Sequence, residues 1–223
     1  SPVARSLHRA LAVLFTCSDR ASDAAREMRA GITTPSEECR FAGATAQTLL
    51  ARNRGPEALI HLARAARLCR ELPPSDEVVA TTAGIAANLM RVAEPQCLLA
   101  HELLLAATEA SMASSGRSDD WKTRHKTCFH HGKACLLAGN PTRALAVVQQ
   151  MLETEDAHDA GPVERFYSAN LACRAQAMRG QFKVAAGAMS ACRDFAKEAE
   201  QSGEPLGPAL EDLVAYVATM QAP

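Results

Sequence analysis

A turn-like signal that returns at near-regular intervals is the feature that most restricts the fold of this 223-residue chain. Its four copies are built around Gly or Pro, and a small residue follows each one and opens a new helix-like stretch. Those small residues are Ala58, Cys97, Ala144 and Ala185, so the intervals are 39, 47 and 41 residues. A period of ~20–50 residues is typical of stacked repeats, in which each unit buries its apolar face against its neighbours.

The composition favours helices over strands. Apolar residues make up 48% of the chain, which is enough for a sizeable core, but aromatic residues make up only 4%. Strands favour β-branched and aromatic side chains, and no run of this sequence alternates Val, Ile, Thr and Tyr. We therefore predict an all-α fold without strands.

Clusters of Gly, Pro and Ser divide the chain into helix pairs, because these residues interrupt helices. We expect five helix hairpins and a terminal helix, at about residues 3–30, 36–71, 76–112, 119–153, 163–200 and 207–220. In the fourth hairpin, the second helix is expected at 141–153, followed by an acidic loop with Glu155 and Asp156. One side of the terminal helix is apolar, as the end of a repeat array requires. The sequence predicts a single helical repeat domain over residues 1–223.

Small residues recur at fixed offsets within the repeats. In the copy that starts at His125, Gly132 is the eighth residue, Gly139 the fifteenth and Ala144 the twentieth. This pattern resembles the tetratricopeptide repeat (TPR), a helix-turn-helix unit of 34 residues. The resemblance implies a right-handed α-solenoid of about five hairpins with a C-terminal capping helix, whose first helices line a concave surface. The intervals exceed 34 residues, so longer helices or loops are expected.

Charge and cysteine content restrict the partners and the location of the protein. The net charge of −1 provides no strong attraction to nucleic acid or to an anionic membrane, so we expect neither as a partner. Eight cysteines are spread along the chain without a CxxC motif. Most fall at packing positions of the repeat, which favours reduced thiols and a cytoplasmic location.

One helix carries a cluster of possible metal ligands. His125, Cys128, His131 and Cys135 follow one another at steps of three or four residues, so they lie along one helical face. His and Cys are ligands that zinc prefers. The helical period also explains this spacing as a buried packing stripe, which we favour, with no cofactor. The alternative is a metal-binding enzyme or sensor that uses residues 125–135.

The opposite face of the same helix is basic. Lys122, Lys126, Phe129 and Lys133 recur there at helical spacing. In a TPR-like fold this face lines the concave surface. Equivalent positions in the other repeats complete the predicted partner-binding set: Arg40, Gln47, Tyr167, Asn170 and Arg174.

Such a groove predicts the capture of a peptide segment or a partner helix from another protein. Its cations would contact carboxylates and its rings would contact apolar side chains, so an acidic partner is favoured. Two alternatives stay open. The stripe is an ordinary solvated face with mixed charges, or the groove is filled by another part of the same chain or of a larger complex.

Signals for catalysis are sparse. His101-Glu102 lacks the second His of a zinc protease helix, and neither GxSxG nor a Gly-rich phosphate loop occurs. We therefore predict a non-enzymatic interaction module or scaffold.

Overall fold

The computed structural model describes residues 2–73, 85, 98–116 and 119–221, and these residues form ten helices without strands. The predicted helix at 76–93, apart from Ile85, and the turn before Cys97 lie outside the described residues. None of the ten helices has the length and apolar character that a membrane span requires. The helices are α1 (Pro2–Thr16), α2 (Ala21–Gly31), α3 (Pro35–Ala51), α4 (Gly55–Glu71), α5 (Leu98–Ser115), α6 (Trp121–Leu137), α7 (Pro141–His158), α8 (Pro162–Met178), α9 (Phe182–Gln201) and α10 (Gly207–Gln221).

The recurring turns share one backbone geometry. Gly139 and Gly180 both have a φ of 72°, in the left-handed region that favours glycine. The residue after each glycine donates its N–H to the carbonyl five residues earlier, which closes the end of the preceding helix. Asp19 and Asn53 occupy the same left-handed position at the ends of α1 and α3. The two non-glycine residues hide this regularity in the N-terminal half of the sequence.

The described residues group into two compact units, Ser1–Arg117 and Ser118–Pro223. In the first unit, α1 packs against α2 and α3, α3 packs against α4, and α4 packs against α5. The small residues Ala24 and Ala58 are buried in α2 and α4. Thr34 caps α3 by accepting the N–H of Glu37, and Pro35 begins that helix.

In the second unit, two hairpins lie side by side and a final helix covers the end. Helix α6 packs against α7 and α8, and α8 packs against α9 and α10. Ala144 and Ala185 are buried where α7 and α9 begin, as the sequence predicts. Leu213 of α10 and Leu206, which directly precedes this helix, are buried in a core shared with α8 and α9. The expected C-terminal capping helix is thereby confirmed.

The expected end of α7 is wrong. This helix continues to His158, so Glu155 and Asp156 are helical rather than part of a loop. The reason is packing, because Glu155 falls on the buried face of α7 and its carboxylate lies 2.7 Å from Nε2 of His125. Both side chains are almost completely buried.

Candidate functional site

A groove between α6 and α8 brings together four of the predicted binding residues. We call it the α6–α8 groove, and its volume is about 330 Å³. The predicted residues Lys122, Lys126, Phe129 and Tyr167 all line it. The other lining residues are His125, His130, Val163 and Glu164.

An aromatic pair provides the apolar surface of the groove. The ring centroids of Phe129 and Tyr167 lie 4.8 Å apart, with the rings tilted by 56°. Phe166, which is fully buried, contacts the edge of Tyr167 from the core. Aromatic rings in contact favour offset or edge-to-face geometries, so these contacts restrict the orientation of the Tyr167 ring. The groove therefore presents a supported apolar surface to which a side chain of a partner can bind.

Two lysines lie at the exposed side of the groove, and their surroundings differ. Nζ of Lys122 lies 3.1 Å from Oε1 of Glu164, so its charge is partly neutralised within the groove. Lys126 is exposed and has no carboxylate partner among the residues that the structure describes. Its ammonium group is the cation most available to a carboxylate from outside.

His130 adds a polar group without charge. Burial, reinforced by Lys126 and Lys133, lowers the pKa of His130 to about 4. The imidazole is therefore neutral near pH 7 and provides a hydrogen-bonding nitrogen beside the Phe129 ring.

Lys133 does not line the groove, but it contacts the aromatic pair through Phe129. Its Nζ lies 5.8 Å from the centroid of Phe129. Burial, reinforced by Arg174 and opposed by Asp212, lowers the pKa of Lys133. A cation over a ring face is attracted to it, so Lys133 stabilises the position of Phe129.

Asn170 and Arg174 are buried rather than open to a partner, because α10 lies over them. Arg174 donates from Nε to Oδ1 of Asn170 at 2.8 Å and from Nη2 to Oδ2 of Asp212 at 2.7 Å. Its guanidinium also lies 4.7 Å from the ring centroid of Tyr216. An acidic and an aromatic residue of the chain's own last helix thus occupy this part of the predicted surface.

Arg40 and Gln47 belong to the first unit and are both exposed on α3. Arg40 lines a separate cleft of about 240 Å³ between α1 and α3, together with Arg9, Val13 and Phe41. Gln47 is not among the residues that line this cleft. The cleft shares a chemical character with the α6–α8 groove, since both combine cations with an aromatic ring.

Three of the four possible metal ligands on α6 are buried, namely His125, His131 and Cys135. His125 pairs with Glu155, and Nε2 of His131 lies 3.6 Å from Sγ of Cys135. Cys128 is half-buried. Across residues 2–73, 98–116 and 119–221, no three His, Cys, Asp or Glu side chains are arranged to hold a metal ion.

Sequence reasoning missed three residues near the groove. Glu155 holds His125, His130 lines the groove, and Trp121 stacks on His158 with ring centroids 5.1 Å apart. A usable signal exists for Glu155, because it follows the buried Met151 by four residues and so continues the same helical face.

Comparisons with known proteins place the fold. No family model matches the chain, and no curated protein matches it. Two crystal structures of a Podosopora anserina protein described as a kinesin light chain with nearly identical TPR-like repeats are similar in structure. One is 15% identical with a TM-score of 0.61, covering 90% of this chain and 98% of that one. The other, a substituted variant, is 14% identical with a TM-score of 0.61, covering 89% and 95%.

The TPR-like fold expected from the recurring turns is therefore confirmed. The chain is an all-α, TPR-like helical repeat protein.

Proposed function

We propose that the chain is a non-enzymatic interaction module that binds an acidic segment of another protein in the α6–α8 groove. The observation that carries this proposal is the exposed, unpaired Lys126 beside the Phe129–Tyr167 pair. A segment with a carboxylate next to an apolar side chain would pair with the ammonium group of Lys126 and contact the two aromatic rings at the same time. Repeat arrays offer such rigid surfaces, so they lose little conformational entropy when a partner binds.

Helix α10 provides an internal example of this recognition. Its Asp212 accepts a hydrogen bond from Arg174, and its Tyr216 ring lies over the same guanidinium. Leu213 between them is fully buried. The first helix of the last hairpin thus already binds an acidic, aromatic helix, and this supports a partner helix of similar chemistry beside Lys126.

The buried cysteines support a cytoplasmic location, which we also propose. All seven described cysteines are free, and six of them are buried. Free thiols are maintained in a reducing compartment. The chain would act there as a scaffold or as part of a larger assembly.

Affinity measurements with defined peptides test the proposal. The probe is a fluorescein-labelled amphipathic helix that carries Asp and Glu beside Leu and Tyr, and its control replaces the acids with Asn and Gln. We expect the acidic peptide to bind at least ~10-fold more tightly, or about 1.4 kcal/mol, at low salt. Equal affinities for the two peptides would refute the proposed recognition of acidic segments.

A matched pair of variants separates the groove from the net charge. Lys126→Glu reverses a charge in the groove, whereas Lys197→Glu reverses an exposed charge on α9, away from it. We expect Lys126→Glu to weaken binding ~5–30-fold and Lys197→Glu to change it less than about twofold. Similar losses in both variants would show that only the overall charge matters.

A further inference from the structure

Two buried cysteines lie in contact at the open end of the α3–α4 hairpin. Cys39 lies in the second turn of α3, and Cys69 lies in the last turn of α4. Both thiols are almost completely buried. The two helices are antiparallel and joined by the short turn at 52–54, so this pair lies at the end of the hairpin away from that turn.

The two sulfur atoms are 3.1 Å apart. This separation is about 1 Å longer than a disulfide bond, which measures ~2.05 Å. Cys39 also donates to the carbonyl of Ala65 at 3.5 Å, as Cys17, Cys173 and Cys192 do to other backbone carbonyls. The helices therefore hold the two sulfur atoms so close together that a movement of about 1 Å would bring them to the length of a disulfide bond.

The contact between the thiols shifts the acidity of both, and either sulfur can be its donor. The contact lowers the pKa of Cys39 although burial opposes this change. The same contact, together with burial, raises the pKa of Cys69. The two adjacent thiols can therefore react as a nucleophile and a resolving cysteine, and either one can act first.

A cavity provides access for a small oxidant. It has a volume of about 340 Å³, lies between α4 and α5, and is lined by Cys69, Leu72, Ala106 and Glu109, among others. Cys69 lines this cavity and Cys39 does not, so a hydroperoxide with a small substituent reaches the pair from the side of Cys69.

We propose that Cys39 and Cys69 are a reversible redox site, at which a hydroperoxide converts the two thiols into a disulfide. The thiolate of one of the two cysteines attacks one peroxide oxygen, the O–O bond breaks, and that cysteine becomes a sulfenic acid while alkoxide or hydroxide leaves. The sulfur of the other cysteine then attacks the sulfenic sulfur, an S–S bond forms, and the S–O bond breaks. The hydroxyl group leaves as water with the proton of this second thiol. Two electrons and two thiol protons thus pass to the peroxide, which yields water and an alcohol, or a second water from hydrogen peroxide.

The disulfide would link α3 to α4 at the end of the hairpin opposite the turn. Cys39 and Cys69 are 30 positions apart, so the bond closes the whole hairpin into a ring. Closing a loop of this length removes conformational freedom from the unfolded chain and resists local separation of α3 from α4. This site is independent of the α6–α8 groove, and its oxidation can be measured without any binding partner.

The test is oxidation of the folded, full-length chain by hydrogen peroxide, followed by blocking of free thiols and tryptic mass spectrometry. We expect an intact mass lower by about 2 Da and a disulfide between peptides 30–40 and 68–70, reversed by dithiothreitol. Circular dichroism before and after treatment confirms that the helices persist. The proposal is overturned if Cys39 and Cys69 stay reduced after the half-buried Cys128 has oxidised, or if Cys39 pairs with a different cysteine.

Substitutions of single cysteines test the pairing. In Cys39→Ser or in Cys69→Ser, dimedone should trap a sulfenic acid on the remaining cysteine of the pair, because no resolving thiol remains. In Cys173→Ser, which removes a buried cysteine of the second unit, the Cys39–Cys69 disulfide should form at the wild-type rate. Loss of the disulfide in Cys173→Ser would contradict the proposal, as would a lack of dimedone labelling on the remaining cysteine in both Cys39→Ser and Cys69→Ser. The wild-type mass measurement decides the main point even where a variant folds poorly.

Discussion

Gly132 provides a direct test of how the second unit is packed. It is buried in α6, and an added Cβ would lie 2.1 Å from Cδ2 and 3.0 Å from Cδ1 of Leu171 in α8. Leu171 is fully buried, so its side chain can move only against the residues packed around it. In Gly132→Ala, α6 and α8 must therefore separate slightly or Leu171 must leave its preferred rotamer.

The change in the free energy of unfolding of Gly132→Ala is the sum of two opposed effects. Overpacking of a well-filled core costs ~1–3 kcal/mol, whereas Ala is favoured over Gly within a helix by about 1 kcal/mol. Gly187 is the matched control, because it lies exposed within α9 and an added Cβ there meets no atom within 4 Å. Gly187→Ala should stabilise the protein by ~0.5–1 kcal/mol. The two variants should therefore differ by about 1–3 kcal/mol, with Gly132→Ala the less stable.

Urea denaturation followed by circular dichroism measures this difference as a shift in midpoint. A second comparison uses Leu171→Ala, which removes the atoms that the new methyl group would meet. In that background, Gly132→Ala should no longer be destabilising, so the two substitutions should be non-additive by ~1 kcal/mol or more. If Gly132→Ala raises stability as much as Gly187→Ala does, the close packing of α6 on α8 is refuted.

Three further predictions concern single residues. Glu155→Ala leaves Nε2 of His125 buried without its partner and should lower the free energy of unfolding by ~2–4 kcal/mol, with a smaller loss in Glu155→Gln; equal losses would contradict this account of the pair. The backbone and hydroxyl hydrogen bonds from Thr33 lower the pKa of Glu37 to about 2, so its stabilising contribution is complete above the unfolded pKa and is lost as the pH falls toward about 2. The free energy of unfolding of Glu37→Gln should therefore fall less on acidification than that of the wild type. Identical acid denaturation curves for the two proteins would refute this role of Glu37. Asp212→Ala leaves the buried guanidinium of α8 without its carboxylate and should speed amide hydrogen exchange in α10 by ~10-fold, whereas unchanged exchange would show that the ion pair does not hold this helix.

The parts of the fold that depend on local backbone rules can be predicted from the sequence. Gly139, Asn140 and Pro141 combine a left-handed glycine, a capping side chain and a proline in the first helical turn, and each acts within a few residues. The start of α7 is therefore evident in the sequence. The turn at Asn53 is less evident, because asparagine takes the left-handed conformation less often than glycine does.

The site is only partly predictable, because its members come from distant parts of the chain. Helical spacing groups Lys122, Lys126 and Phe129 on one face of α6, and these three residues line the same groove. It cannot show that Arg174 is covered by Asp212, 38 residues later, because this contact depends on how α10 packs. The pairing of His125 with Glu155 is equally distant, so a carboxylate that looks like part of an acidic loop is buried instead.

The most direct test of the central claim is to map where an acidic peptide binds. Amide chemical shifts of the full chain are recorded while the acidic, amphipathic peptide described above is added to saturation. We predict the largest changes at residues 122–130 of α6 and 163–167 of α8, and the loss of these changes in Lys126→Glu but not in Lys197→Glu. Changes concentrated elsewhere, such as along the α1–α3 cleft at Arg40, with residues 122–130 unaffected, would contradict this prediction.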